Sequence, residues 1–176
     1  MAQLIMRWKN DGTPAQMPVL PEGFTVVTLP ELDDAVEKWL DIMQYGLSET
    51  REDQSYYQKC MLDLAGYEED KCFFILRDGT PVASITVVCN YETKEGLIHM
   101  VGSLPQCRGK GVGGMLGQVA LHALKSSGME TAFLRTDDFR VPAIRSYLRM
   151  GFQPDVSTEE FAQRWDAVFS AIGLKN

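Results

Sequence analysis

Gln106-Cys107-Arg108-Gly109-Lys110-Gly111-Val112-Gly113-Gly114 joins an apolar stretch at 97–101 to a long amphipathic stretch at 111–127. Four glycines fall within six residues, and Arg108 and Lys110 stand among them. Glycine lets a backbone approach a ligand closely. The first amides of a helix that starts here have no acceptor within it. Such a helix start carries about half a positive charge and stabilises a nearby anion by about 0.3–1 kcal/mol. The stretch therefore predicts a phosphate or pyrophosphate site at a helix N-terminus.

Three other readings of the turn fit less well. A connection without a ligand would weaken the helix start for no return, since glycine costs up to about 1 kcal/mol there. Gly109 to Gly114 satisfies the G-x-G-x-x-G spacing of dinucleotide folds, but Gly109 lies eight residues past Val101 and the preceding strands read as antiparallel. A P-loop requires Ser or Thr after its lysine, and Lys110 is followed by Gly111.

Outward from the turn, the pattern predicts a strand at 97–101, a helix at 111–127 stopped by Gly128, and a strand at 131–135. This strand–helix–strand unit requires a parallel, right-handed crossover. Upstream, strands at 72–76 and 82–88 flank Asp78-Gly79, a two-residue hairpin signal. With 97–101 they form an antiparallel meander. Earlier still come a strand at 4–8, a Pro- and Gly-rich connector at 10–23, a strand at 25–29, a helix through Leu32, Trp39 and Met43, and a helix at 52–64. Downstream, Pro142 opens a short helix to Met150, an extended piece starts at Phe152, and Ser157 with Glu160 predicts a capping box for a last helix. The expected fold class is α/β with a mixed sheet. The expected organisation is an N-terminal strand and connector at 1–23 followed by one domain at 24–176.

The 176 residues include 24 acids and 17 bases, a net charge of -7, which argues against a nucleic-acid binder. No apolar run is long enough to span a membrane, and residues 1–10 lack a signal-peptide core. Four scattered cysteines and two isolated histidines predict reduced thiols, a cytoplasmic location and no metal site. Between 31 and 70, twelve acids face three bases, a local net charge of -9.

Arg108-Gly109-Lys110-Gly111-Val112-Gly113 resembles the R/Q-x-x-G-x-G/A signature of the GNAT superfamily of acetyl-CoA-dependent N-acetyltransferases. The segment 143–152, with Tyr147 five residues before Phe152 and Gly151 ahead of it, looks like the family's downstream motif, in the family's order and spacing. The resemblance implies direct transfer of an acetyl group from acetyl-CoA, used as co-substrate without a metal, to a primary amine of a small molecule or peptide. It leaves a homodimer open. The -9 segment covers the acceptor side in that fold, so the resemblance points to a small cationic acceptor; a solvated helical face explains the charge equally well.

The resemblance also assigns roles. Backbone around Val101 and Ser103 would hold the pantetheine arm, one amide there polarising the thioester. Amides from Arg108, Gly109, Lys110, Gly111, Val112 and Gly113 would hold the pyrophosphate. Arg140, where the family frequently has Asn, would pair with a CoA phosphate. Tyr147 matches the acid that protonates the leaving sulfur; as a neighbour of Ile144 and Leu148 it also suits an apolar helix face. For the base, His99, Glu95 (on the same strand parity) and Asp137 compete with water and with a purely structural His99. Cys107 lacks a histidine partner for covalent transfer. The last helix stands where relatives usually have a strand, and the strand at 4–8 is expected to fill that edge. The alternative function is a non-catalytic acyl-CoA-binding module of the same fold.

Overall fold

The computed structural model describes residues 2–45, 47–48, 50–107 and 109–173. Twelve regular elements follow one another: β1 (Leu4–Lys9), β2 (Phe24–Thr28), α1 (Ala35–Met43), α2 (Gln54–Tyr57), β3 (Cys72–Arg77), β4 (Thr80–Asn90), β5 (Glu95–Ser103), α3 (Val112–Ser126), β6 (Thr131–Thr136), α4 (Val141–Arg149), β7 (Gln153–Pro154) and α5 (Glu159–Ile172). The strands form one sheet in the order β2-β3-β4-β5-β6-β1-β7. β2 to β5 are the antiparallel meander, and α3 carries the chain over to β6, which runs parallel to β5. The mixed α/β sheet follows from these connections.

β1 alternates Leu4, Met6 and Trp8 into the core with Arg7 and Lys9 outward, the two-residue period of a strand with one buried face. It pairs antiparallel with β6 from Leu4↔Thr136 to Lys9↔Thr131, and β7 pairs with its other side. The N-terminal strand thus lies between β6 and β7 rather than on an outer edge. Asp78 and Gly79 both take positive φ, 49° and 79°, as a tight two-residue hairpin requires.

One face of the sheet, with Leu4, Met6, Ile85, Val87, Ile98 and Leu134, packs against Val112, Leu116 and Ala120 of α3, Ile144 of α4 and Trp165 of α5. The other face packs Phe74 and Leu76 against Trp39, Leu40 and Met43 of α1 and Tyr57 of α2. Gly102 allows α1 to come this close, since a Cβ there would stand 3.0 Å from Met43 Sδ and 3.2 Å from Ile42 Cγ2.

Two details differ from the sequence reading. The helix expected at 52–64 is four residues of α-helix followed by a π-helical turn, Gln58–Leu62. The last helix is capped one residue later than expected: Thr158 Oγ1 accepts from Phe161 N at 3.2 Å, while Ser157 N donates to Asp155 Oδ1. Thr158 has the extended backbone that an N-cap needs, whereas Ser157 belongs to the preceding turn.

Candidate active site

The ladder between β5 and β6 stops early. It runs from Glu95↔Thr131 to Ile98↔Leu134, although β5 continues to Ser103 and β6 to Thr136. The cause lies on the other side of β5. Thr86 pairs with His99 and Ser84 with Gly102, so Met100 and Val101 together fill the span that Ile85 fills alone on β4. Such a bulge increases local twist and turns the strand away from its neighbour. Met100 adopts φ 48°, a strained region for a residue with a side chain. Past Ile98, β5 therefore presents backbone groups toward β6 without a strand partner there. Val101 and Ser103 both lie on this opened stretch.

The β5–α3–β6 crossover puts the start of α3 at the same end of the sheet, beyond the C-terminal end of β5. A 3-10 turn, Pro105–Cys107, leads into the glycine-rich loop. Gly109 and Gly111 have φ 74° and 80°, and a Cβ built on either meets nothing within 4 Å. The loop is held in a glycine conformation while the space in front of it stays open. Gly114 and Met115 amides already donate to the Gly111 carbonyl, at 2.9 and 3.2 Å. Those of Val112 and Gly113 occupy the first two helical positions, where no acceptor exists within the helix. These features suit a diphosphate. Lys110 is exposed beside them. Arg108 lies outside the described residues. Gly113 also has a packing reason: a Cβ there would stand 3.1 Å from Ser146 Oγ of α4.

α4 carries Tyr147, buried to 8% exposure, its ring 6.4 Å from that of Phe152. Burial pushes its phenol up to about 12, with the Arg140 guanidinium pulling weakly the other way. The hydroxyl keeps its proton across the physiological range. Arg140, the N-cap of α4, is engaged within the protein: its Nε lies 2.8 Å from Asp137 Oδ2 and its guanidinium stacks 5.6 Å over Phe139. Cys107 is buried in the core at 3% exposure.

His99 extends from β5 toward the α1–α2 face, and its Nε2 lies 2.9 Å from the carbonyl oxygen of Cys60 in the π-helical turn. Burial lowers the imidazole below its ordinary value, the Cys60 bond opposes this, and the Arg135 guanidinium adds to it. Glu95 shares that face four residues earlier, roughly 13 Å along the strand. Its carboxylate lies 3.7 Å from Arg7 Nη1. Of the expected base candidates, Glu95 lies in the paired part of β5, His99 borders the opened stretch, and Asp137, one residue past β6, is committed to Arg140.

Sequence reasoning did not single out Tyr56 and Cys60. Tyr56 packs beside Trp39 at 6.0 Å and is pushed up to about 12 by burial and the adjacent Cys60 thiol. No pattern in 52–64 marks a π-helical turn, so the Cys60 carbonyl had no visible signal.

Comparison with known proteins agrees with this geometry. The sequence model of the Acetyltransferase (GNAT) family matches residues 34–152. The mycothiol acetyltransferase of Streptomyces griseus is 35% identical over 139 residues, covering 77% of this chain and 45% of that protein. The one from Streptomyces bingchenggensis is 31% identical over 149 residues, covering 80% and 48%. The chain thus spans about half the length of the curated relatives it matches. The structure of a GCN5-related N-acetyltransferase from Sphaerobacter thermophilus superposes with a TM-score of 0.67 at 19% identity, over 88% of this chain and 50% of that one. The early parting of β5 and β6, the open glycine turn and the sequence match together make this chain a member of the GNAT family of acetyltransferases.

Proposed function

We propose that the protein transfers the acetyl group of acetyl-CoA directly to a primary amine of a small molecule. The observation that carries the reading is the joint placement of the β5–β6 opening and the unsatisfied amides at the start of α3. Val112 and Gly113 amides, with Gly109 and Gly111 shaping the loop, hold the pyrophosphate, and Lys110 adds charge. The opened backbone from Val101 to Ser103 holds the pantetheine arm and directs an amide at the thioester carbonyl, an effect of about 3 kcal/mol when such a donor is aligned. Acetyl-CoA supplies the activated acyl group. The acceptor nitrogen forms the new C–N bond as the C–S bond breaks. Its proton passes to His99 Nδ1 or to water, and Tyr147 returns a proton to the departing sulfur.

The relatives named mycothiol acetyltransferase support a small acceptor. The acidic segment 31–70 supports an acceptor that arrives as an ammonium. Release of free CoA thiol from acetyl-CoA, measured over a panel of primary amines, tests the reading. Amine-dependent release is expected. Tight CoA binding with no release for any amine would replace the transferase by a CoA-binding module.

A further inference from the structure

The parallel ladder ends at Ile98↔Leu134, so the next residues on the two strands are His99 and Arg135. Ile98 and Leu134 are buried on the α3 face. Strand alternation therefore puts His99 and Arg135 on the opposite face, on either side of the opening. Their proximity is felt electrically, since the Arg135 guanidinium disfavours the charged form of His99.

Arg135 differs from the arginines around it. Arg7 is paired with Asp155, Arg140 with Asp137 and Arg164 with Asp138. No carboxylate among the described residues lies within ion-pairing distance of Arg135, and the ring of Phe133 lies 5.3 Å from the guanidinium. A guanidinium held over a ring face still has N–H groups to offer an anion. α1 packs over β4 and β5, while on this face of β1 and β6 Arg7 and Arg135 are exposed and Ile5 and Phe133 only half-buried. Arg135 is exposed at the mouth of the opening beside His99.

We propose that Arg135 is a specificity residue that binds an anionic group, a carboxylate or a phosphate, carried by the acceptor a few atoms from its reacting nitrogen. This rests on the acetyltransferase reading above and narrows its acceptor from any amine to an amine with an anionic partner group. Arg135 takes the anionic end, which orients the nitrogen toward His99 and the thioester.

The test compares the wild type, Arg135→Gln and Arg135→Lys on two matched pairs, L-alanine with L-alaninamide and O-phosphoethanolamine with ethanolamine. A second arm titrates CoA-saturated protein with N-acetyl-L-alanine and N-acetyl-L-alaninamide. The wild type should favour the anionic member of at least one pair in kcat/KM, and the pair identifies the anion. Arg135→Gln should lower that preference roughly ten- to hundredfold. Compared well above pH 6.5, where His99 is neutral with or without Arg135, the neutral member should change far less than the anionic one, and CoA affinity should be unchanged. Arg135→Lys, which keeps charge but not the planar fork, should restore part of the preference. If the anionic member is neither turned over nor bound better than its neutral counterpart, or if the preference survives Arg135→Gln, the proposal is overturned. Binding of N-acetyl-L-alanine that depends on Arg135, with no thiol release for any amine, would retain Arg135 as an anion site and sink the transferase reading instead.

Discussion

His99 Nε2 lies 2.9 Å from the carbonyl oxygen of Cys60, and a carbonyl can only accept. The proton of the neutral ring therefore sits on Nε2, and Nδ1 carries the lone pair. A backbone carbonyl cannot be titrated away, so the tautomer holds for as long as the π-helical turn stays in place. A base must be neutral before it can work, and burial together with Arg135 keeps this ring neutral below its ordinary value of 6.5.

If His99 takes the proton, kcat should fall on the acid side with its midpoint below 6.5, the ordinary imidazole value. His99→Gln should remove that acidic limb and lower kcat by roughly 10²-fold or more. A pH–rate profile of both proteins reads this directly; an unchanged profile assigns the proton to water.

The same ring predicts a stability change of definite sign. Below pH 6.5 the unfolded chain binds a proton at His99 that the folded protein resists, so the folded state loses stability as pH falls through that window. Above 6.5 both states are neutral and the contribution vanishes. Thermal melts should show a steeper acid-side loss for the wild type than for His99→Gln.

Tyr147→Phe keeps the ring against Phe152 and removes only the hydroxyl. kcat should fall by roughly 10²–10⁴-fold with CoA affinity retained. The phenol is raised to about 12, so no Tyr147 ionisation should enter the wild-type profile below pH 10. Single-turnover and binding measurements together separate this from a packing defect.

Packing between α3 and α4 depends on a missing side chain. A Cβ at Gly117 would stand 2.7 Å from Met150 Cγ and 2.9 Å from its Sδ. Gly117→Val should therefore destabilise by about 1–3 kcal/mol through overpacking. Urea unfolding should show the loss, and shortening Met150 to Ala in the same chain should recover part of it.

Much of this architecture was legible because local chemistry and the fold agree. Asp78-Gly79 could only be a tight turn, and Gly128 ends α3 at φ 72°. The four glycines around Lys110 announced an open helix start. The opening itself was not legible. It depends on Met100 and Val101 bulging against Ile85, and Met100, a residue with no preference for positive φ, gives no sign of it. Nor did alternation reveal that β1 would lie between β6 and β7, because pairing partners are set by long-range packing of Leu4, Met6 and Trp8. His99 could be placed on β5 from its sequence, but its partner comes from a π-helical turn 39 residues away.

Calorimetric titration with CoA, on the wild type and on Gly111→Glu, addresses the central claim most directly. Gly111 holds φ 80° before open space, so glutamate adds both strain and negative charge where the diphosphate is to sit. The account predicts saturable binding by the wild type and a loss of at least about tenfold in affinity for the variant, more than 1.4 kcal/mol. Equal affinity in the two proteins, or no heat from the wild type with either CoA or acetyl-CoA, would contradict it.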